Sequence, residues 1–192
     1  MKMNSANLKR VKGVLFAFIM LGLVLGTSCA DNKAESDPSG CPCKLKTASI
    51  TLDGDLADWA AIAPILSDPE DDGDLKAVYL AKNGDTLYLA LEVYNGGTYF
   101  SFTYFDNNMD NDMGDVEDRI VKPDVSSLDV TNGDNPPKSY TVNSSVAGTT
   151  TVFEASASIS EMGLPDTFLF GQSLKDASGD VLDDTDFVTV SL

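Results

Sequence analysis

The sequence predicts an all-β protein: an antiparallel β-sandwich of the immunoglobulin-like or jelly-roll-like kind, with one short helical turn. Three observations predict this fold class. Within residues 99–105, the aromatic Phe100, Phe102 and Tyr104 alternate with Ser101 and Thr103, a period of two that is typical of a half-buried strand. Asn83-Gly84, the strongest short hairpin signal, joins the apolar stretches 76–82 and 86–94. Further short stretches of this kind follow at regular spacing, which favours a sandwich.

The other predicted elements follow this hairpin along the chain. Asn95-Gly96-Gly97 turns the chain into residues 99–105, so that three strands form a meander. A helical turn is predicted over 158–163, because serine begins this stretch and glycine ends it. Residues 126–137 are rich in Asn, Asp, Gly and Pro and are expected to be irregular. Further strands are predicted at 139–144, 149–157, 167–174 and 186–192, and a short one begins at residue 48.

The first 28 residues have the pattern of a secretory signal peptide. Residues 14–24 are apolar but too short to span a bilayer comfortably, and small residues follow them. The bases before this core form a positive head: Lys2, Lys9, Arg10 and Lys12. The ending LGTSC resembles the lipobox of bacterial lipoproteins, which implies lipidation of Cys29 and, with Ala30 next to it, sorting to the outer membrane. The alternative is an ordinary cleaved signal peptide followed by a chance cysteine.

The charge and the composition exclude several classes of partner and of activity. The formal net charge of −17 becomes −21 once the four bases of residues 1–28 are removed. Such a surface repels phosphate backbones and anionic lipid headgroups, so we expect no nucleic-acid partner and membrane attachment through the lipid anchor only. The sequence has no histidine, which excludes a Ser-His-Asp triad and a histidine-ligated zinc or haem. We therefore expect a protein that is not an enzyme.

Residues 29–47 are expected to form a flexible tether, and residues 48–192 a single domain. The stretch 31–40 is polar and contains proline, a composition typical of a linker. Cys41-Pro42-Cys43 follows it. Because an exported protein meets an oxidising compartment, a local disulfide between Cys41 and Cys43 is the first expectation. Binding of a soft metal, or pairing of each cysteine with another chain, are the alternatives.

Residues 106–118 form a strongly acidic loop between two predicted strands. Six of these thirteen residues are carboxylates, and a bound cation would relieve their mutual repulsion. The oxygen-donor positions 1, 3, 5, 7 and 12 of a twelve-residue calcium loop fall on Asp106, Asn108, Asp110, Asp112 and Glu117. Asn111 takes the sixth position, where glycine usually makes a sharp left-handed turn that asparagine also tolerates. The sequence thus predicts a calcium site, with a solvated acidic turn as the alternative.

Several motifs give the chain a resemblance to a known family. Residues 50–59 (ITLDGDLADW) resemble the opening I-x-L-D-G-x-L-x-D/E-W of family 9 carbohydrate-binding modules and of the related DOMON-like domains. Residues 86–89 are similar to the second-hairpin strand of that family, Phe105-Asp106 to its calcium-binding turn, and residues 152–163 to its W-E-v-x-I-P segment. The resemblance covers residues 48–192. It implies a β-sandwich with a structural calcium ion and a sugar held between tryptophans, of which this chain has one.

Few residues in the chain can stack on a sugar. Trp59 is the only tryptophan, and its place in the opening motif favours a core or lid position. Tyr94, Tyr99 and Tyr104 are the other candidates for the sugar site, with ordinary strand aromatics as the alternative. The sequence favours a calcium-stabilised, non-catalytic carbohydrate-binding module of a cell-envelope lipoprotein, whose partner is a carbohydrate. The alternative is a structural or protein-interaction sandwich in a surface assembly, whose partner is an envelope or surface protein.

Overall fold

The computed structural model describes residues 42–67, 75–94, 99–113, 117–123, 128–132, 135–148 and 150–192. In these ranges the chain forms thirteen strands, one helical turn, α1 (Ile159–Met162), and one 3₁₀ turn (Ala57–Trp59). The strands are β1 (Cys43–Lys44), β2 (Lys46–Thr47), β3 (Leu66–Ser67), β4 (Leu75–Asn83), β5 (Thr86–Val93), β6 (Tyr99–Asp106), β7 (Arg119–Pro123), β8 (Leu128–Asn132), β9 (Asn135–Ala147), β10 (Thr150–Ser158), β11 (Thr167–Asp176), β12 (Val181–Asp184) and β13 (Val188–Ser191).

The strands form two layers that are joined through one long strand. Layer one has the order β1-β13-β11-β6-β7-β8-β9, and layer two has the order β9-β10-β5-β4-β2. β9 belongs to both layers, since its first residues pair with β8 and its later residues pair with β10. β12 extends layer one beside β11, and β3 pairs with β4. Apart from the parallel pairs β1/β13 and β2/β4, the pairing is antiparallel. The predicted antiparallel β-sandwich is confirmed.

The main core lies between the layers and is built from alternate residues of the strands. β5 contributes Leu87, Leu89, Leu91 and Val93 from layer two. In layer one Phe105 packs against Phe168 and Phe170, with ring centroids 5.6 and 5.3 Å apart. Such aromatic contacts add to the stabilisation that burial alone gives.

Layer two is also covered on its second face. A smaller cluster joins residues from the stretch 48–62 to alanines of β4 and β5: Ile50, Trp59, Ile62, Ala81 and Ala90. The alanines leave room for the overlying chain. Residues 48–62 therefore fold back over the sheet, and they contain no strand.

β6 shows the predicted alternation, but its small polar residues face the core. Ser101 and Thr103 are buried on the same side as Phe105, while Tyr104 lies on the other side and is half-buried. Gln172 of β11 makes this possible, because it accepts a hydrogen bond from the Thr103 hydroxyl at 2.7 Å and donates one to the Ser101 hydroxyl at 2.6 Å. Each polar group is thus satisfied without water. The aromatic side chain of Tyr104 therefore lies on the outer side of layer one.

The predicted tether ends earlier than the sequence suggested. Its last residues, predicted to be flexible up to residue 47, form β1 and β2, which pair with β13 and β4. Leu45, between the two strands, is buried in the main core. The burial of Leu45 explains the difference, because taking an apolar side chain out of water stabilises the fold. Residues 1–41, with the predicted signal peptide and most of the tether, lie outside the described residues.

The predicted helical turn is present as α1 and is held at both ends. The Ser158 hydroxyl accepts a hydrogen bond from the Glu161 backbone N–H at 3.1 Å, and Gly163 ends the turn with a φ of 66°. Asp85, in the β4–β5 turn, adds a second cap. Its carboxylate accepts hydrogen bonds from the Ser160 N–H at 2.9 Å and from the hydroxyls of Ser158 and Ser160 at 2.6 and 2.8 Å.

We expect Asp85→Ala to lower the melting temperature at neutral pH, and to do so less at low pH. The hydrogen bonds from Ser158 and then Ser160 hold the pKa of Asp85 below its ordinary 3.8. A lowered pKa means that the carboxylate stabilises the fold above its ordinary pKa, and that this contribution disappears as the pH falls through the lowered value. Thermal melts of both proteins from pH 7 to pH 2 measure this difference. The exposed Asp166→Ala controls for the loss of one surface charge, and a pH-independent difference would contradict the prediction.

Candidate functional site

Trp59, a predicted sugar-binding residue, belongs to the interior. Its side chain is 1% exposed, so the core position that the opening motif favours is confirmed, and Trp59 cannot stack on a ligand as a sugar-site residue would. The indole N–H instead donates a hydrogen bond to Glu154 Oε1 at 2.7 Å. Glu154, also 1% exposed, accepts two more hydrogen bonds on Oε2, from the backbone N–H groups of Asp53 and Gly54 at 2.9 and 2.5 Å. A buried carboxylate with three N–H donors ties residues 48–62 to β10.

Gly54 explains why the opening motif needs a glycine. Its φ is +78°, and a Cβ there would lie 2.8 Å from the Cβ of Ser145. The Ser145 hydroxyl donates a hydrogen bond to the Gly54 carbonyl, and the Asn143 side chain donates one to the Leu52 carbonyl. The motif therefore serves the fold in this chain. Its residues Asp53, Gly54 and Trp59 surround Glu154 rather than a ligand.

Tyr94 lies on the outer side of layer two, at the end of β5. The ammonium group of Lys76 is 5.9 Å from the centroid of its ring and forms a 2.6 Å ion pair with Glu92. This ion pair raises the pKa of Lys76, and burial raises the pKa of the neighbouring Tyr79, whose hydroxyl also bonds to Glu92. The half-buried Tyr94 ring is thus part of a charged cluster with its own internal partners.

Tyr104 lies on the outer side of layer one and has a second ring beside it. Phe187, in the segment between β12 and β13, packs against it with ring centroids 6.2 Å apart and planes inclined by 56°. Both side chains are half-buried. The Phe187 ring lies over Gly171 of β11, the cross-strand partner of Tyr104, and a Cβ at Gly171 would be 3.1 Å from it. Glycine in this strand therefore makes the place for the second ring.

Polar groups stand next to these two rings. Ser173 of β11 is hydrogen-bonded to the Tyr104 hydroxyl, and burial raises the pKa of Tyr104, with a smaller contribution from the charge of Asp184. Asp184 of β12 is the cross-strand partner of Ser173 and is exposed. We call the surface formed by Tyr104, Gly171, Ser173, Asp184 and Phe187 the Tyr104 face. Tyr99 is in β6, but its side chain lies outside the described part of the chain.

The described residues form a small cavity beside Phe105 in the interior. This cavity has a volume of about 10 Å³ and an apolar lining that includes Leu87, Val121 and Met162. Such a volume corresponds to about one water molecule. This cavity is therefore too small for a ligand of sugar size.

The acidic loop has the turn that the calcium-loop spacing predicts. The carboxylate of Asp106 accepts hydrogen bonds from the backbone N–H groups of Met109 and Asn111, at 2.6 and 2.8 Å. Asn111 has a φ of 68°, as predicted for the sixth position of the loop. Further along, Asn108 Oδ1 accepts from the Asp110 N–H at 3.3 Å, and Asp110 Oδ1 accepts from the Asp112 N–H at 2.8 Å. The backbone therefore winds around the side-chain oxygens of positions 1, 3 and 5.

The base of this loop contains two fully buried carboxylates, Asp106 and Asp118. The N–H of Asn107 donates to Asp118 at 3.0 Å, while the guanidinium of Arg119 donates to the backbone carbonyls of Glu117 and Asp118, both at 2.7 Å. The Asn107 amide also bridges to the Glu117 carbonyl at 2.6 Å and to that of Gly163 at 3.4 Å.

The predicted calcium ligands are thus only partly assembled. Asp106, Asn108 and Asp110 share one turn, but of the five predicted ligands only Asp106 is buried, while Asn108, Asp110, Asp112 and Glu117 are exposed. Among the described residues no group of three or more carboxylate, cysteine or histidine side chains is placed to hold a metal ion. Residues 114–116, within the same loop, lie outside the described ranges.

The cysteines and the membrane anchor are described only in part. Cys43 is disulfide-bonded. Cys29 and Cys41 lie outside the described residues, so lipidation of Cys29 and the Cys41–Cys43 pairing stay predictions. In the ranges that the structure covers, no helix has the length and the apolar character that crossing a membrane requires.

The fold is similar to that of a known class of binding module. A family 9 carbohydrate-binding module from Caldicellulosiruptor kristjanssonii, solved in complex with glucose, matches 78% of this chain and 85% of its own, with a TM-score of 0.51 and 14% sequence identity. A structure of such a module from the same organism in complex with cellotriose matches with a TM-score of 0.46 and 16% identity, over 78% of this chain and 84% of its own. No family model and no curated protein matches the sequence. The predicted family 9 carbohydrate-binding module fold is confirmed, and at this identity the likeness concerns the fold alone.

Proposed function

We propose that this chain is a non-catalytic carbohydrate-binding module that holds its sugar on the Tyr104 face. The observation that carries the proposal is the pair of half-buried rings, Tyr104 and Phe187, beside the exposed carboxylate of Asp184. The C–H faces of a sugar pack on aromatic rings, while its hydroxyls need nearby donors and acceptors that fix its orientation. The Tyr104 face offers both kinds of contact at one place.

Two further observations support the proposal. The structure whose fold is similar was solved with glucose bound. The alternative aromatic surface, around Tyr94, is less suited to stacking, because the ammonium group of Lys76 is held near its ring by the ion pair with Glu92. The sequence also has no histidine for the common acid–base and nucleophilic mechanisms, which supports a binding role over a catalytic one.

A glycan array with the purified domain, followed by calorimetry on a sugar that binds, tests the proposal. We expect Tyr104→Ala to weaken binding about 30-fold, the effect of losing one well-packed aromatic anchor. Tyr94→Ala is the matched control and should leave the affinity within about twofold of wild type. Loss of binding in the Tyr94 variant alone would mean that the sugar binds to layer two and not to the Tyr104 face. A blank array together with self-association of the domain would favour an assembly protein instead.

We also propose that the acidic loop binds one calcium ion as a structural cofactor. Asp106, Asn108 and Asp110 would supply side-chain oxygens, with Asp112 and Glu117 completing the set on binding. Two features of the loop support this proposal. The buried carboxylate of Asp106, at the first position, accepts two backbone N–H groups, and Asn111, at the sixth position, has the left-handed φ of 68°. The ion would pin the loop between β6 and β7, and it would take no part in any reaction.

The location that fits this function is the cell envelope, with the domain anchored through a lipid on Cys29, in the outer membrane. The signal-like residues 1–28 and the following cysteine support this proposal. A Cys29→Ser variant that still matured and fractionated with membranes would contradict it.

A further inference from the structure

We infer that Asp184 makes the Tyr104 face select neutral or positively charged glycans against acidic ones. This inference rests on the proposed function and names the ligand class that the same surface would accept. Asp184 is then a specificity-determining residue: its carboxylate accepts hydrogen bonds from sugar hydroxyls or amines and repels the carboxylate of a uronic acid.

The register of the strands places this carboxylate next to the rings. Tyr104 of β6 pairs with Gly171 of β11, and Ser173, two residues further along β11, pairs with Asp184 of β12. Ser173 in turn is hydrogen-bonded to the Tyr104 hydroxyl, so this hydroxyl lies over β11, and Asp184 is on the next strand, β12. The chain then continues through Thr185, which exchanges hydrogen bonds with Gln172, to Phe187. The carboxylate and the second ring therefore border the same surface.

Other charges of both signs lie near this surface. Asp186, next to Phe187, is also exposed, and Asp183 precedes Asp184. Asp183 accepts a hydrogen bond from the Leu75 N–H at 3.2 Å, so it is directed toward layer two. Two lysines are on strands near these residues: Lys175 is in β11, and Lys122 is in β7. Both have interaction partners in the structure. After burial, the negative charge of Asp184 also helps to raise the pKa of Tyr104.

The physical basis of the selection is the interaction of like charges near a protein surface. A uronate placed on the rings would bring its carboxylate close to that of Asp184, and such repulsion reduces affinity by about tenfold or more at moderate salt. A protonated amino sugar would gain a comparable factor. A neutral sugar keeps its hydrogen bonds to Asp184 without either effect.

Calorimetric titration of the full mature domain with three tetrasaccharides of one backbone tests the inference. The probes are the β-1,4-linked tetramers of glucose, of glucosamine and of glucuronic acid, used at pH 6 and low salt. Wild type should bind the glucuronic acid tetramer at least about tenfold more weakly than the glucose tetramer. Asp184→Asn, which keeps the shape and the acceptor oxygen, should reduce this ratio to within about threefold and should weaken binding of the glucosamine tetramer.

The control is Asp166→Asn, which removes one exposed charge just before β11, seven residues from Ser173, and should keep the wild-type ratios. Equal affinity of wild type for the neutral and the acidic tetramer, or an unchanged ratio in Asp184→Asn, would overturn the inference while the proposed function stands. If none of the three tetramers binds, it is the proposed function that fails. Added salt should shrink the difference between the probes, since the effect is electrostatic.

Discussion

Replacing Glu154 by alanine should lower the free energy of unfolding by about 3–5 kcal/mol. The variant leaves three buried N–H groups, those of Asp53, Gly54 and the Trp59 indole, without an acceptor. It also leaves a cavity beside Trp59, which is 1% exposed. Urea denaturation measures the change. Because Trp59 is the only tryptophan, its fluorescence reports directly on this cluster.

Glu154→Gln is the matched control for this prediction. Glutamine keeps the volume and one acceptor oxygen, but its NH₂ group meets N–H donors, so we expect a smaller loss of about 1–3 kcal/mol. An alanine variant within 1 kcal/mol of wild type would show that the buried carboxylate does not hold residues 48–62 to the sheet.

The second large effect is expected at Asp106. Asp106→Ala removes the acceptor for the N–H groups of Met109 and Asn111, at a cost of about 2–4 kcal/mol, and should abolish the response of the domain to calcium. For wild type, calcium at ten times its dissociation constant should stabilise the fold by about 1.4 kcal/mol. Magnesium should do so poorly, because it requires a tighter octahedral shell and gives up water reluctantly. Melting curves with calcium, magnesium and chelator measure both effects.

Asp180→Ala, an exposed carboxylate of the β11–β12 turn, is the control for general screening of the negative surface. It should melt with the same calcium dependence as wild type. A wild-type midpoint that ignores calcium, or that rises equally with magnesium, would mean that residues 106–118 form only a solvated acidic turn.

Local patterns in the sequence were sufficient to predict the sandwich and parts of its candidate site. The Asn83-Gly84 hairpin, the helical turn near Ile159 and the left-handed position of Asn111 each depend on a few neighbouring residues, whose preferences the tertiary structure does not override. The resemblance at residues 50–59 also led to the correct fold. It said less about the site, because its tryptophan serves the interior.

What the sequence could not predict depends on contacts between distant residues. The inward orientation of Ser101 and Thr103 requires Gln172, about seventy residues away, which satisfies both hydroxyls. β8 and the start of β9 form in a stretch whose Asn, Asp, Gly and Pro content predicts irregular chain, because pairing with neighbouring strands overrides that composition.

Phe187 and Asp184 were missed as site residues for a similar reason. Nothing near them in the sequence distinguishes them from other strand and turn residues. The one available signal was Gly171, since a glycine inside a strand often marks the close approach of another group. Here that group is the Phe187 ring.

An NMR titration of the ¹⁵N-labelled domain with a glycan that the array identifies shows directly whether a sugar binds at the Tyr104 face. We expect the backbone amide signals that shift to belong to residues around Tyr104, Gly171, Ser173 and the stretch 184–187. Shifts centred instead on Lys76, Glu92 and Tyr94 of layer two, or no shifts at saturating glycan, would contradict this expectation.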